Sequence, residues 1–176
     1  MSDLFEQLLL FRMPGVGAAK YAKLIQKFGS VRAVLQYIDV PDKLKDDVLR
    51  EMERAERLNI HYISDEDDMY PQNLKQLPNH PPVVTVRGNL DVLSRPMVGM
   101  VGTRHATAAG QQLIAEMAES FAGHGYAVVS GMAIGTDTAA HRGALRASGN
   151  VQTIAVLAGG VDYIWPVENE SLYYQI

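Results

Sequence analysis

The chain has 176 residues, is 47% hydrophobic, contains no cysteine and carries a net charge of −4. That length holds one large domain or two small ones with ordinary cores, and nothing in the composition suggests intrinsic disorder. The lack of cysteine excludes disulfides and thiolate zinc sites, no apolar run approaches the roughly 18 residues of a membrane span, and Met1-Ser2-Asp3 opens without the basic stretch of a signal peptide, so a cytoplasmic protein with no membrane partner is expected.

Charge is spread unevenly. Residues 1–60 carry ten Lys+Arg against nine Asp+Glu, and residues 61–176 carry six against eleven. Neither part is a basic arm, so any bound polyanion has to be held by local geometry and a few placed cations.

In chain order, residues 1–58 predict a small all-helical domain. Leu4, Phe5, Leu8 and Leu9 form an apolar stripe that stops at Met13-Pro14-Gly15-Val16-Gly17, a turn that a helix interior does not tolerate. Tyr21, Leu24, Ile25 and Phe28 recur at helical spacing, with Lys20, Lys23 and Lys27 on the other side. Gly29-Ser30 ends that helix and caps the next, which buries Val31, Val34, Leu35 and Ile38. Pro41-Asp42 opens a fourth, with Leu44, Val48, Met52 and Ala55 inward. The Pro-Gly-Val-Gly turn, the following Ala-Lys and the later Phe-Gly-Ser resemble a helix-hairpin-helix element, in which glycines let backbone N–H groups approach a phosphate. Gly15, Gly17 and Lys20 are therefore candidate secondary DNA contacts. The alternative is a plain helical hairpin with glycines for close packing and lysines on a solvated face.

Residues 59–95 form a connecting segment and the first strands of an extended sheet. Asn59–Ile63 reads as a short strand, Asp65–Asp68 as a solvated acidic loop, and Val83–Val86 as a strand turned by Arg87-Gly88-Asn89.

Residues 96–176 read as a Rossmann-like domain, in which the stretch from Met97 to Pro166 repeats one unit three times: an apolar run, a glycine-bearing loop and a helix-like segment. The runs are Met97–Val101, Tyr126–Ser130 and Gln152–Leu157, each read as a strand buried on both faces. Their loops are expected side by side at the carboxyl edge of one parallel sheet, where ligands bind. In the first, Gly102 and Thr103 give a flexible backbone and Arg104 a forked cation suited to a phosphate; the alternative pairs Arg104 with a neighbouring carboxylate. The helix after it is expected to turn Leu113, Ile114, Met117 and Phe121 inward. In the second loop, Ser130, Gly131, Met132, Ala133 and Gly135 present N–H groups among small side chains. Gly159 and Gly160 mark the third.

Asp137 and His141 stand four apart on the helix after the second loop. As catalysts they would be an orienting acid and a base. The preferred reading is structural, with Thr136 or Asp137 capping the helix and His141 bonded to the neighbouring loop, because no nucleophile or second carboxylate is spaced to join them. His61, His80, His105, His124 and His141 show no ligand pairing, so no metal is expected. The dinucleotide pattern Gly-x-Gly-x-x-Gly and a Walker lysine are both absent, so no nucleotide cofactor is expected either.

Val101-Gly102-Thr103-Arg104 with Gly110, Val129–Ala133 with Gly135, Asp137, Ala140-His141 and Ala144-Leu145, and Thr153–Leu157 with Gly160, Asp162, Pro166, Asn169 and Leu172 together resemble the DprA/Smf family of DNA-processing proteins. Tyr70-Pro71, Leu74, Pro82 and Gly88 fit the lead-in to that pattern, and Thr136 and Trp165 depart from it where isoleucine and tyrosine are usual. The resemblance implies an α/β fold, a truncated Rossmann-like parallel sheet (96–176) preceded by a small all-helical SAM/helix-hairpin-helix-like domain.

The resemblance also implies a cytoplasmic, non-catalytic protein of natural transformation that binds single-stranded DNA, protects it and helps load the recombinase RecA. Arg104 maps onto the family's Gly-Ser/Thr-Arg motif, whose arginine contacts phosphate, and Ser130, Gly131 and Gly135 map onto a second phosphate-facing loop. The family's remaining strands would follow Ile176, so the chain is expected to be a fragment. Homodimerisation and much of the RecA contact are attributed to that later half. Two rival readings are a phosphoribohydrolase-like nucleotide-processing enzyme using Asp137 and His141, and a duplex-DNA-binding helix-hairpin-helix module.

Overall fold

A computed structural model describes residues 4–149 and 153–176. Gln152, expected to open the third strand, and Met1-Ser2-Asp3 lie outside the described residues. The chain divides into two compact units, Met1–Arg87 and Gly88–Ile176.

The first unit begins with four helices, α1 (Leu4–Arg12), α2 (Ala18–Phe28), α3 (Val31–Tyr37) and α4 (Asp42–Arg57). Their breaks follow local chemistry. Gly15 turns the chain at φ +72°, and Gly29 ends α2 at φ +84°, where its N–H reaches the Ile25 carbonyl at 2.7 Å. Ser30 caps α3, its Oγ accepting from the Ala33 N–H at 3.2 Å. Leu8, Leu9 and Val48 pack with Phe5, Leu44 and Met52, while Leu10, Tyr21, Val31 and Val34 pack with Leu24, Ile25 and Phe28. The apolar faces expected of all four helices are thus the buried ones.

Two antiparallel strands complete this unit, β1 (Ile60–Ser64) and β2 (Val83–Arg87), in the register Tyr62↔Thr85. Val83 joins the α1–α4 cluster. Between them runs the short α5 (Gln72–Lys75). The acidic segment folds as a turn held by its own carboxylates: Asp67 accepts from the Ser64 N–H at 2.7 Å, and Asp65 lies 3.0 Å from the His80 imidazole. The buried Tyr70 hydroxyl donates to the Pro81 carbonyl at 2.6 Å, and burial, with Asp65 nearby, pushes it up to about 12.

The second unit is an α/β layer. Its strands β3 (Met97–Gly99), β4 (Ala127–Ser130) and β5 (Thr153–Ala155) are parallel and lie in the order β3-β4-β5, with Val98 opposite Val128 and Val128 opposite Thr153. The crossovers carry α6 (Ala108–Gly123) and α7 (Thr136–Ala144), and α8 (Glu170–Tyr173) closes the chain. Burial on both faces holds for β4, where Ala127 and Val128 are fully covered, but not for β3 and β5, the outer strands among the described residues, where Met97, Val98, Ile154 and Ala155 are half-buried.

The inward face of α6 also differs from expectation. Leu113 and Met117 are exposed, Ile114 and Phe121 are half-buried, and the buried positions are Ala115, Ala118 and Ala122. The reason lies in the approach of α7: a Cβ placed on Gly143 would stand 2.1 Å from the Ala115 carbonyl oxygen, so only small side chains fit between the two helices. Met100, Ala118, Ala122, Val128, Ala140 and Ala144 make that core.

Candidate functional site

The carboxyl ends of β3 and β4 lock together before their loops diverge. The Met100 N–H donates to the Val129 carbonyl at 2.9 Å, and the buried Ser130 hydroxyl donates to the Met100 carbonyl at 2.6 Å. Beyond them the first loop, Val101–Thr107, is largely exposed and ends where Thr107 Oγ1 accepts from the Gly110 N–H at 3.1 Å, capping α6. The second loop meets it backbone to backbone. The Thr103 carbonyl accepts from both the N–H and the hydroxyl of Thr136, each at 3.1 Å.

Glycines permit this contact. A Cβ on Gly102 would stand 2.8 Å from Thr136 Oγ1, and one on Gly135, which sits at φ +83°, would stand 2.6 Å from the Thr103 and Arg104 carbonyl oxygens. Gly102 and Gly135 therefore serve loop packing, whatever they offer a ligand.

The second loop is wrapped around the carboxylate of Asp137. Its Oδ2 accepts from the Gly131 N–H at 3.1 Å and the Ala133 N–H at 3.2 Å, while Met132 between them is buried at φ +63°. Two of the N–H groups expected to face a phosphate are thus engaged inside the protein. Asp137 clamps its own loop, and α7 starts at Gly135 without a side-chain cap.

Asn169, just before α8, secures the same loop, donating to the Met132 carbonyl at 2.8 Å and to Thr138 Oγ1 at 2.8 Å. The sequence placed Asn169 in a pattern without a role, since its partners lie more than thirty positions away. In the third loop Gly159 and Gly160 are exposed, the Val156 N–H donates to the Ser130 carbonyl at 2.8 Å, and the Gly160 carbonyl accepts from Tyr163 at 2.9 Å.

Arg104 stands out in this setting. It is exposed, it has no carboxylate partner among the described residues, and its guanidinium carbon lies 5.6 Å from the ring centroid of Trp165 on the third loop. The ion pair considered as an alternative is absent among the described residues. A planar cation held only by a ring face in water remains free to bind an anion.

His141 is fully buried. Its Nδ1 lies 2.7 Å from Thr153 Oγ1, on β5 rather than on a loop, and that hydroxyl already donates to the Val128 carbonyl at 2.7 Å. The imidazole must therefore carry its proton on Nδ1 and donate, which leaves Nε2 buried without a partner among the described residues. Burial lowers its pKa to about 4, with Asp137 pulling weakly the other way. No hydrogen bond joins Asp137 to His141 among the described residues.

Gly15, Gly17 and Lys20 lie in the other compact unit, all exposed, with α2 starting at Gly17 without a side-chain cap and the Lys20 ammonium over Gly15. Among the described residues no three His, Asp or Glu side chains cluster to hold a metal, and no helix is long and apolar enough to cross a membrane.

The family model for DNA recombination-mediator protein A matches residues 61–176. The chain belongs to this family. Residues 2–60 match a DprA-like N-terminal HHH domain. Protein Smf of Synechocystis is 36% identical over 129 residues, covering 71% of this chain and 32% of that protein. DNA processing protein DprA of Bacillus subtilis is 36% identical over 114 residues, covering 64% and 38%. The chain thus spans about a third of the length of the curated relatives it matches.

Among solved structures, DNA processing protein A of Streptococcus pneumoniae shares the fold at a TM-score of 0.73 and 23% identity, covering 99% of this chain and 64% of that one. DNA processing protein A of Helicobacter pylori, described with a single-stranded DNA binding mode, matches at a TM-score of 0.56 and 28% identity, covering 65% and 50%. The helical region followed by a parallel α/β sheet is the architecture expected from the sequence.

Proposed function

We propose that this chain is the single-stranded-DNA-binding part of a cytoplasmic protein of natural transformation, which protects incoming DNA and helps load RecA, and which forms a homodimer when full-length. The observation that carries the reading is Arg104: an exposed guanidinium, without a carboxylate partner among the described residues, on the loop at the carboxyl edge of a parallel sheet. In a chain of net charge −4 without a basic arm, sequence-independent binding has to come from such placed cations and from surfaces for bases. The family relationship and the single-stranded DNA binding described for the Helicobacter pylori relative support the same ligand.

Binding rather than catalysis is the proposed role. The Asp137 carboxylate is spent on two N–H groups of its own loop and His141 has no access to solvent, so the pair is not presented to a substrate. The matching HHH domain favours a second reading, in which Gly15, Gly17 and Lys20 add contacts to duplex DNA.

The test is a salt titration of binding to single- and double-stranded oligonucleotides. Arg104→Ala should weaken single-strand binding and reduce the slope of log K against log salt by about 0.7, one phosphate's worth. Unchanged affinity removes Arg104 from the site. Preference for duplex, lost when Lys20, Lys23 and Lys27 become alanine, would favour the helical unit instead.

A further inference from the structure

Trp165 is the only tryptophan in the chain. It is 55% exposed although its neighbour Pro166 is buried, and Tyr163, two positions earlier, is 66% exposed while Ile164 between them is half-buried. Two large rings are thus left in water beside Arg104, where each keeps an open face that a flat ligand could cover favourably. The backbone around them is tied down: the Tyr163 N–H donates to the Gly160 carbonyl at 2.9 Å, the Asn169 N–H donates to the Pro166 carbonyl at 3.0 Å, and the Tyr173 hydroxyl donates to the Val161 carbonyl. The ring is therefore presented by a braced segment.

We infer that the Trp165 ring is a stacking platform for a nucleobase whose phosphate is taken by Arg104. This rests on the single-stranded DNA reading given above. Single-strand binding without sequence readout needs two elements, a cation for the backbone and an aromatic face for bases, and here they lie within 5.6 Å of each other on adjoining loops. In the free protein the guanidinium covers the ring. Turning Arg104 toward a phosphate breaks only a solvent-exposed cation–ring contact, with no ion pair to give up among the described residues, and it clears the face for a base. Every base has such a face, so the platform adds affinity without sequence preference.

The lone tryptophan makes its emission a direct reporter. A thymidine oligonucleotide should quench it on binding to the wild-type chain, and an abasic oligonucleotide of equal length should not. By anisotropy the wild type should prefer the thymidine strand by about fivefold or more, the lower end of one stacked base. Trp165→Ala should erase that preference and leave the salt slope intact, while Trp165→Phe retains part of it. The quenching comparison needs no variant, so it stands even if Trp165→Ala folds poorly. Binding of the thymidine strand without quenching, or with a preference that survives in a folded Trp165→Ala, overturns the platform and leaves the single-strand reading standing. Absence of binding to either strand overturns both.

Discussion

The two compact units are packed by opposite means. The helical unit fills its core with large side chains, Leu8, Leu10, Tyr21, Val34 and Val48, and its helices are held apart by them. The α/β unit brings α6 and α7 into backbone contact over Gly143 and lines the gap with Ala118, Ala122, Ala140 and Ala144. Large side chains tolerate a poor fit better than they tolerate removal, whereas a backbone contact tolerates no addition. The difference matters because the loops carrying Thr103 and Gly135 hang on that second arrangement, and a shift of α7 moves them.

One added methyl group should perturb the α/β unit most. Gly143→Ala has no side chain to push aside, only the Ala115 backbone, and should destabilise the α/β unit by more than about 3 kcal/mol. Hydrogen exchange should show lost protection in α6 and α7 with α1–α4 unchanged. The reverse operation, Leu10→Ala, should cost the helical unit about 3 kcal/mol through the cavity it leaves, with the loss confined to residues 4–57.

Acid sharpens the contrast without a mutation. His141 titrates near 4 when folded and near 6.5 when unfolded, so between those values the unfolded chain holds the extra proton. Stability therefore rises with pH across that window, and lowering the pH from 6.5 to 4 should remove about 3 kcal/mol from the α/β unit. His141→Asn should flatten the dependence in urea unfolding measured at several pH values. A smaller effect is expected from Asp137→Ala, about 2 kcal/mol, since the exposed Gly131 can recover a water while the partly covered Ala133 N–H cannot do so as readily. Asp137→Asn, which keeps an acceptor oxygen, should cost less.

Much of this architecture could be read from residue order. Pro14-Gly15, Gly29-Ser30 and the short apolar runs at 97, 127 and 153 each impose a local choice, and local choices leave marks in sequence. What the order hid was set by distance and by size. Leu113 and Met117 looked inward because they are the large apolar residues of α6, yet the close approach of α7 reserves that face for alanine. Asp137 looked like a helix cap, but the positive φ of Met132 folds the loop back so that the carboxylate reaches two N–H groups before it. The pairing of Arg104 with Trp165 had no local signature at all, since two loops after different strands bring it about.

The parallel ladder also sets the order in which the chain acquires its structure. Ser130 bonds to Met100 across 30 residues and Thr153 to Val128 across 25, so each crossover must close before its strand gains a partner. The individual turns of α1–α4 need only neighbours three or four residues away and should form first, although their packing also joins distant residues such as Leu8 and Val48. During the interval β4 is unpaired, and its Ala127-Val128-Val129 run is open to another chain in the same condition. Recovery from denaturant should therefore depend on dilution for the α/β unit and be indifferent to it for the helices.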